Sequence, residues 1–237
     1  MYRKFGHRGA PGKPRYGENT LTSFNKALEM GADALEFDVR CTKDRELIVI
    51  HDLAVDRTTD GHGNVCDLSY AQIKGFDAGY GESVPLLEEV LDYFGGHCLL
   101  NVELKENGLA SRVREMVLDR NIQSSVVVSA FDTDDNDPDS SSSWDDLYEF
   151  SGVIPTALLA TEAKIQKMGE WEYVEATVFH EATAIHPGAK VTTSNLIFLA
   201  HSMKLYVNVW TVNQQRQIKK FKAMGVDGLF SDFPDRL

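Results

Sequence analysis

Cysteine is scarce. Cys41, Cys66 and Cys98 are an odd number in a chain of 237 residues, and their spacing suits neither a disulfide framework nor a metal site. They read as reduced thiols, so the chain is expected to be cytoplasmic. Long apolar runs are absent too: no stretch reaches the ~18 residues that a membrane-spanning helix requires. The opening Met-Tyr-Arg-Lys-Phe-Gly-His carries no apolar leader of the secretory kind. Positive charge is in deficit, with 24 Lys and Arg against 36 Asp and Glu, a formal charge of −12. A surface this acidic repels polyphosphate, so no nucleic-acid partner and no stable membrane association are expected. A small anion is still admissible where a local cluster of bases opposes the overall field. No Gly-rich dinucleotide turn follows any candidate strand, which weakens the case for an open doubly wound sheet.

What is present has the ordinary globular balance, 43% hydrophobic and 25% charged. A chain of this length hides about 70–75% of its unfolded surface, enough for a core without staples. Short apolar β-rich runs alternate with helical patterns, as in successive βαβ units. Strands are expected over 3–6, 34–39, 46–50, 98–104, 126–130, 153–159, 182–185, 205–210 and 228–231. The spacing predicts helices over 20–30 and 213–224, with Thr20 as N-cap of the first and Gly31 and Gly225 just past the two ends. Weaker helical patterns cover 110–120, 144–150, 164–171 and 194–203. The short link 40–45 is too brief for a parallel crossover, so 46–50 should turn back on 34–39 as a hairpin. The strands that remain number eight, the rhythm of an α/β TIM barrel spanning 1–237 as a single domain.

Two segments break that rhythm. Residues 53–85, rich in glycine, stand where the second barrel helix belongs and read as a loop-rich insertion over one end of the barrel. Residues 132–146, DTDDNDPDSSSSWDD, are acidic and of low complexity. They lack the Gly and Glu that a calcium loop needs, and read as a mobile solvated loop.

Charged groups collect at strand ends. Glu36 and Asp38, two apart on one strand, share a face, and Glu103 and Lys105 repeat the pattern on the next barrel strand. His7 and Arg8 end the first strand, and His51 ends the hairpin strand. The carboxyl ends of barrel strands are where such folds place their chemistry. Three carboxylates converging there need a compensating cation. Arg8 and Lys105 could supply it as a structural ion network; a divalent metal does so more effectively, and oxygen ligands favour Mg²⁺ or Ca²⁺. With a metal and those two bases the site sums to +1, which suits one phosphodiester anion. His7 and His51 are candidates for an acid–base pair. His62, His97, His180, His186 and His201 have no such company and are expected to be structural or superficial.

The motifs His7-Arg8-Gly9, Glu18-Asn19-Thr20, Glu36-Phe37-Asp38-Val39, Thr42-Lys43-Asp44, Ile50-His51-Asp52, Asn101-Val102-Glu103-Leu104-Lys105, Trp210-Thr211-Val212-Asn213, Gly225-Val226-Asp227-Gly228 and Ser231-Asp232-Phe233-Pro234 stand in this order. In this the chain closely resembles the glycerophosphodiester phosphodiesterase family. The resemblance implies a TIM barrel that hydrolyses glycerophosphodiesters to sn-glycerol 3-phosphate and an alcohol with a divalent metal. It assigns the metal to Glu36, Asp38 and Glu103, the general base to His7, the general acid to His51, the phosphate to Arg8 and Lys105, and a place near the substrate to Trp210. The nucleophile is either water or the substrate's own glycerol hydroxyl. Departures from the family pattern concentrate over 132–203 and bear on the alcohol rather than the reaction.

Other functions fit parts of the pattern. An aldolase- or enolase-type barrel also uses carboxylates to hold Mg²⁺, but leaves His7 and Arg8 idle. A non-catalytic phospho-ligand barrel has no need of two histidines. A lysophospholipid phosphodiesterase would need an apolar face, for which Phe76, Tyr80 and Val84 are candidates. The oligomeric state is not legible.

Overall fold

The computed structural model describes residues 2–13, 16–132 and 141–237. Its strands are β1 (Arg3–His7), β2 (Ala34–Cys41), β3 (Leu47–Val49), β4 (Leu99–Leu104), β5 (Val126–Ala130), β6 (Thr156–Ala160), β7 (Ala184–Pro187), β8 (Tyr206–Val209) and β9 (Gly228–Ser231). All except β3 run parallel, and pairing of β1 with both β2 and β9 closes them into an eight-stranded TIM barrel. β3 is the hairpin partner of β2, with Val49 opposite Val39 and Leu47 opposite Cys41.

The helices around the barrel are α1 (Leu21–Glu29), α2 (Tyr70–Ile73), α3 (Leu87–Phe94), α4 (Ala110–Asp119), α5 (Glu162–Met168), α6 (Glu170–Phe179), α7 (Ser194–Ser202) and α8 (Gln215–Met224). The Thr20 side chain accepts from the Ser23 amide to start α1, which buries Phe24 and Ala27. Gly225, in the left-handed region, ends α8.

Alternation along each strand separates two cores. On β2, Leu35, Phe37 and Val39 join Phe24, Val90 and Phe94 in the layer between sheet and helices. Glu36 and Asp38 take the opposite face, toward the barrel axis. Phe5, Ala34 and Phe230, with Leu99 and Trp210 against them, fill the inside of the barrel. The Phe5 and Phe230 rings stack with centroids 4.2 Å apart.

Several boundaries differ from expectation. β6 starts at Thr156 because the Val153 and Ile154 amides turn back onto the Phe150 carbonyl. β7 starts at Ala184, since the Ala182 amide closes the end of α6, and it runs past 185 to Pro187 because His186 and Pro187 pair with Leu159 and Ala160. The expected helix over 164–171 is two helices, divided at Gly169 with φ +95°. The helix before β4 is α3, which follows residues 53–85 rather than being replaced by them; its Leu87, Val90, Leu91 and Phe94 are buried.

Residues 53–85 pack on a small core of their own, where Val55, Val65, Ile73, Ala78 and Val84 meet Ile48 and Ile50. Val84 is therefore inside, while Tyr80 is exposed. Of the acidic segment 132–146, residues 133–140 lie outside the described residues, and with them the central part of the solvated-loop reading. Asp132 pairs with Lys164, and residues Trp144–Phe150 form a 3₁₀ helix.

Candidate active site

Strand register assembles the site. In the sheet, His7 stands opposite Glu36, and Asp38 stands opposite Glu103. Glu36, Asp38 and Glu103 are all buried, each with a carboxylate oxygen within 4.8 Å of the others. Burial and then the neighbouring Asp38 push the Glu36 carboxyl up to about 8. Asp38 is held below the usual carboxylate range: burial opposes this, but Arg8, His51, Lys105 and the Asn19 hydrogen bond outweigh it. Asp38 Oδ2 takes Asn19 Nδ2 at 3.0 Å and Arg8 Nε at 3.3 Å, while the buried Oδ1 has no hydrogen-bond partner. An orphaned anionic oxygen amid three crowded carboxylates fits a divalent cation, and an all-oxygen donor set favours a hard one.

β1 ends in a left-handed turn at Arg8, φ +53°. The turn aims the Arg8 amide at Glu36 Oε2, 3.0 Å away, and lets its guanidinium reach Glu18 Oε1 at 3.0 Å. His7 Nδ1 lies 2.7 Å from Asp232 Oδ1, and its Nε2 lies 3.9 Å from Glu36 Oε2. Burial works against a protonated His7, yet Glu36 and the Asp232 hydrogen bond hold its pKa above the ordinary value. Asp232 is itself fixed by Asn213 Nδ2 at 2.6 Å.

The hairpin brings the second histidine back to the barrel. The Ile50 amide bonds the Asp38 carbonyl, so His51 arrives level with the acidic cluster. Its Nδ1 lies 2.7 Å from Asp52 Oδ1 and its Nε2 lies 3.2 Å from Lys105 Nζ. Lys105, fully buried, also donates to Glu103 Oε1 at 3.0 Å.

These groups edge a cavity of about 320 Å³. His7, Arg8, Glu36, His51 and Glu103 form its polar side; Phe131, Leu159, Trp210 and Phe230 form its apolar side. Asp38 and Lys105 are not among its lining residues and sit behind the others. All eight residues singled out in the sequence thus fall at one barrel mouth, Trp210 across the cavity from the acids.

Several contributors were missed. Asp232 and Asp52 each hold an imidazole, and both follow a strand end, the signal that could have found them. His186, expected to be structural or superficial, lines the cavity from the inner face of β7. Glu18, Asp52 and Asp232 add three carboxylates against one further cation, Arg57, so the +1 sum counted too few groups. Those three carboxylates do not line the cavity, where Arg8 stands with Glu36 and Glu103; the offset of those two acids falls to the divalent ion they would hold.

Crowded acids beside two carboxylate-held imidazoles and a guanidinium, at the carboxyl end of a parallel barrel, place the chain among TIM-barrel phosphoric diester hydrolases. The Glycerophosphoryl diester phosphodiesterase family matches residues 7–236, and the chain belongs to that family. A glycerophosphodiester phosphodiesterase of Bacillus altitudinis is 34% identical over 252 residues, covering 100% of this chain and 96% of the relative. A solved structure from Silicibacter pomeroyi DSS-3 superposes with a TM-score of 0.86 at 26% identity, covering 100% of this chain and 91% of that one. An Oleispira antarctica phosphodiesterase, solved in complex with the product sn-glycerol-3-phosphate, shares the fold with a TM-score of 0.81 at 23% identity, covering 98% and 93%. The family is generally dependent on a divalent metal. Among the described residues, no helix is long and apolar enough to cross a membrane.

Proposed function

We propose that this site hydrolyses glycerophosphodiesters to sn-glycerol 3-phosphate and a free alcohol, within one catalytic domain formed by the whole chain. The observation that carries it is the pairing of two imidazoles, each with Nδ1 on a carboxylate, on either side of Glu36, Asp38 and Glu103. Those three would hold Mg²⁺ or Ca²⁺; when bound, the ion supplies Lewis-acid polarisation of a phosphate oxygen and offsets the local negative charge.

The protein's own groups do the rest. Asp232 holds the Nδ1 proton of His7, which leaves Nε2 as the base toward the cavity. His7 accepts the proton of the attacking oxygen, that of water or of the substrate's glycerol. As the new O–P bond forms, the P–O bond to the alcohol breaks, and His51 delivers a proton to the departing oxygen. Where the glycerol hydroxyl attacks, the product is a cyclic phosphate, and water then adds to phosphorus as a ring P–O bond breaks to leave sn-glycerol 3-phosphate. Arg8 and Lys105 oppose the charge that develops on phosphate. Trp210 and Phe131, edge to face at 5.6 Å, give the organic part of the substrate an apolar wall.

The test is release of sn-glycerol 3-phosphate from glycerophosphocholine and glycerophosphoethanolamine, first in EDTA and then with Mg²⁺ or Ca²⁺ added. Metal-dependent release that is lost in Glu36→Ala is the expected result. A folded protein that releases none with either metal would move the weight to ligand binding without hydrolysis.

A further inference from the structure

Arg57 lies in the segment 53–85, outside the cavity, with its side chain half exposed. Its guanidinium nevertheless makes four hydrogen bonds to two carboxylates. Nε and one terminal nitrogen reach Asp52 at 2.5 and 2.8 Å; both terminal nitrogens reach Glu18, at 2.8 and 2.7 Å. Each of those carboxylates turns its other contact inward. Asp52 Oδ1 holds His51 Nδ1 at 2.7 Å, and Glu18 Oε1 holds Arg8 at 3.0 Å. A continuous chain thus runs Arg8–Glu18–Arg57–Asp52–His51 across the mouth of the site.

Resting on the hydrolytic reading above, we propose that Arg57 is a positioning residue that fixes His51 through Asp52 and Arg8 through Glu18, joining the two walls of the site. Only a planar fork can do this: one face of donors meets each carboxylate, whereas a lysine offers a single point charge. Removing the guanidinium leaves Asp52 and Glu18 facing each other as like charges, so both swing and take His51 and Arg8 with them. The segment 53–85 supplies the support. Val55 is buried in its small core, and the Val55 amide bonds the Gly63 carbonyl, while its carbonyl accepts from Thr59. Arg57 is thereby a contact through which the insertion acts on the chemistry without lining the cavity.

A purely structural ion pair this exposed would contribute little to stability and nothing to turnover. That contrast sets the experiment. In Arg57→Ala, kcat on glycerophosphocholine should fall and KM should rise, each by about 10–100-fold. The melting temperature should move by no more than about 3 °C. Because the position is half exposed, millimolar guanidinium ion should restore part of the lost kcat/KM, and Arg57→Lys should recover little of it. In an Asp52→Asn background the further kcat loss from Arg57→Ala should shrink, since both changes break one chain of contacts. The His51 Nδ1–H proton resonance should broaden or shift in Arg57→Ala. Kinetics within about twofold of wild type would overturn the proposal, as would losses that add fully with Asp52→Asn. An unchanged His51 resonance would also overturn it. If the wild-type protein releases no glycerol 3-phosphate, the hydrolytic reading fails on its own, and the His51 resonance still decides the positioning role.

Discussion

The ammonium nitrogen of Lys105 lies 3.2 Å from His51 Nε2 and 3.0 Å from Glu103 Oε1, closed off from solvent. One cation therefore contacts both the crowded acids and the imidazole of the proposed acid catalyst. Lys105→Met keeps the volume and removes the charge. It leaves Glu103 buried beside Glu36 and Asp38 with less compensation, so the metal-free protein should lose about 3 kcal/mol of stability in urea titration. A divalent ion bound by the same acids should offset part of that deficit. Added Mg²⁺ or Ca²⁺ should then raise the melting temperature of the variant by more than that of wild type. Equal increments in the two proteins would contradict the shared-charge account.

Asp232 does for His7 what Asp52 does for His51, and it does so from the far end of the chain. Asp232→Asn keeps the shape but can present an amide N–H to Nδ1, which favours the tautomer whose proton sits on Nε2. The base then points the wrong way. In steady-state assays kcat should fall by about 10²–10⁴ with KM nearly unchanged, as expected when a histidine is held in the wrong tautomer. A rise in KM as large as the fall in kcat would assign Asp232 to substrate binding instead.

Alternation made much of this site legible. Glu36 with Asp38, and Glu103 with Lys105, sit two apart on their strands, and a period of two fixes their common face before any coordinates exist. The short link 40–45 likewise dictated the hairpin. The landing point of His51 was not legible, because it depends on the Ile50 amide meeting the Asp38 carbonyl, a pairing set by hairpin register. The place of His186 was not legible for a related reason: expecting β7 to end at 185 left this buried residue off the strand whose inner face it occupies. The contacts of Glu18 with Arg57 cross from one loop to another, and no local periodicity encodes contacts of that kind.

Gly9 tests whether the turn after β1 positions Arg8. It has φ +89°, and a Cβ there would fall on the Ser23 side chain, 2.8 Å from its Cβ. The Ser23 hydroxyl also accepts from the Ala10 amide at 2.8 Å. Gly9→Ala must displace α1 or unwind the turn, and should destabilise the protein by about 2–3 kcal/mol in urea. Since the turn also sets the Arg8 amide on Glu36, KM should rise in the fraction that still folds. Wild-type stability with wild-type KM would show that the turn is not needed for either.

His186 gives the molecule a predictable acid limb. It is 1% exposed among Phe5 and Phe230. Its Nε2 lies 3.1 Å from Asn208 Nδ2, and its buried Nδ1 has no hydrogen-bond partner among the described residues, a setting that disfavours the charged ring. Burial lowers its pKa from 6.5 to about 3. Between those values the unfolded chain binds a proton at this residue and the folded protein does not. Folding stability contributed by the neutral ring is therefore complete above the unfolded pKa and is lost as pH falls toward the folded one. The slope should approach about 1.4 kcal/mol per pH unit from this residue alone. His186→Gln keeps an acceptor for Asn208 and cannot titrate, so its urea midpoints at pH 7 and pH 5 should differ by less than those of wild type. The same pH dependence in both proteins would show that the acid limb arises from other groups.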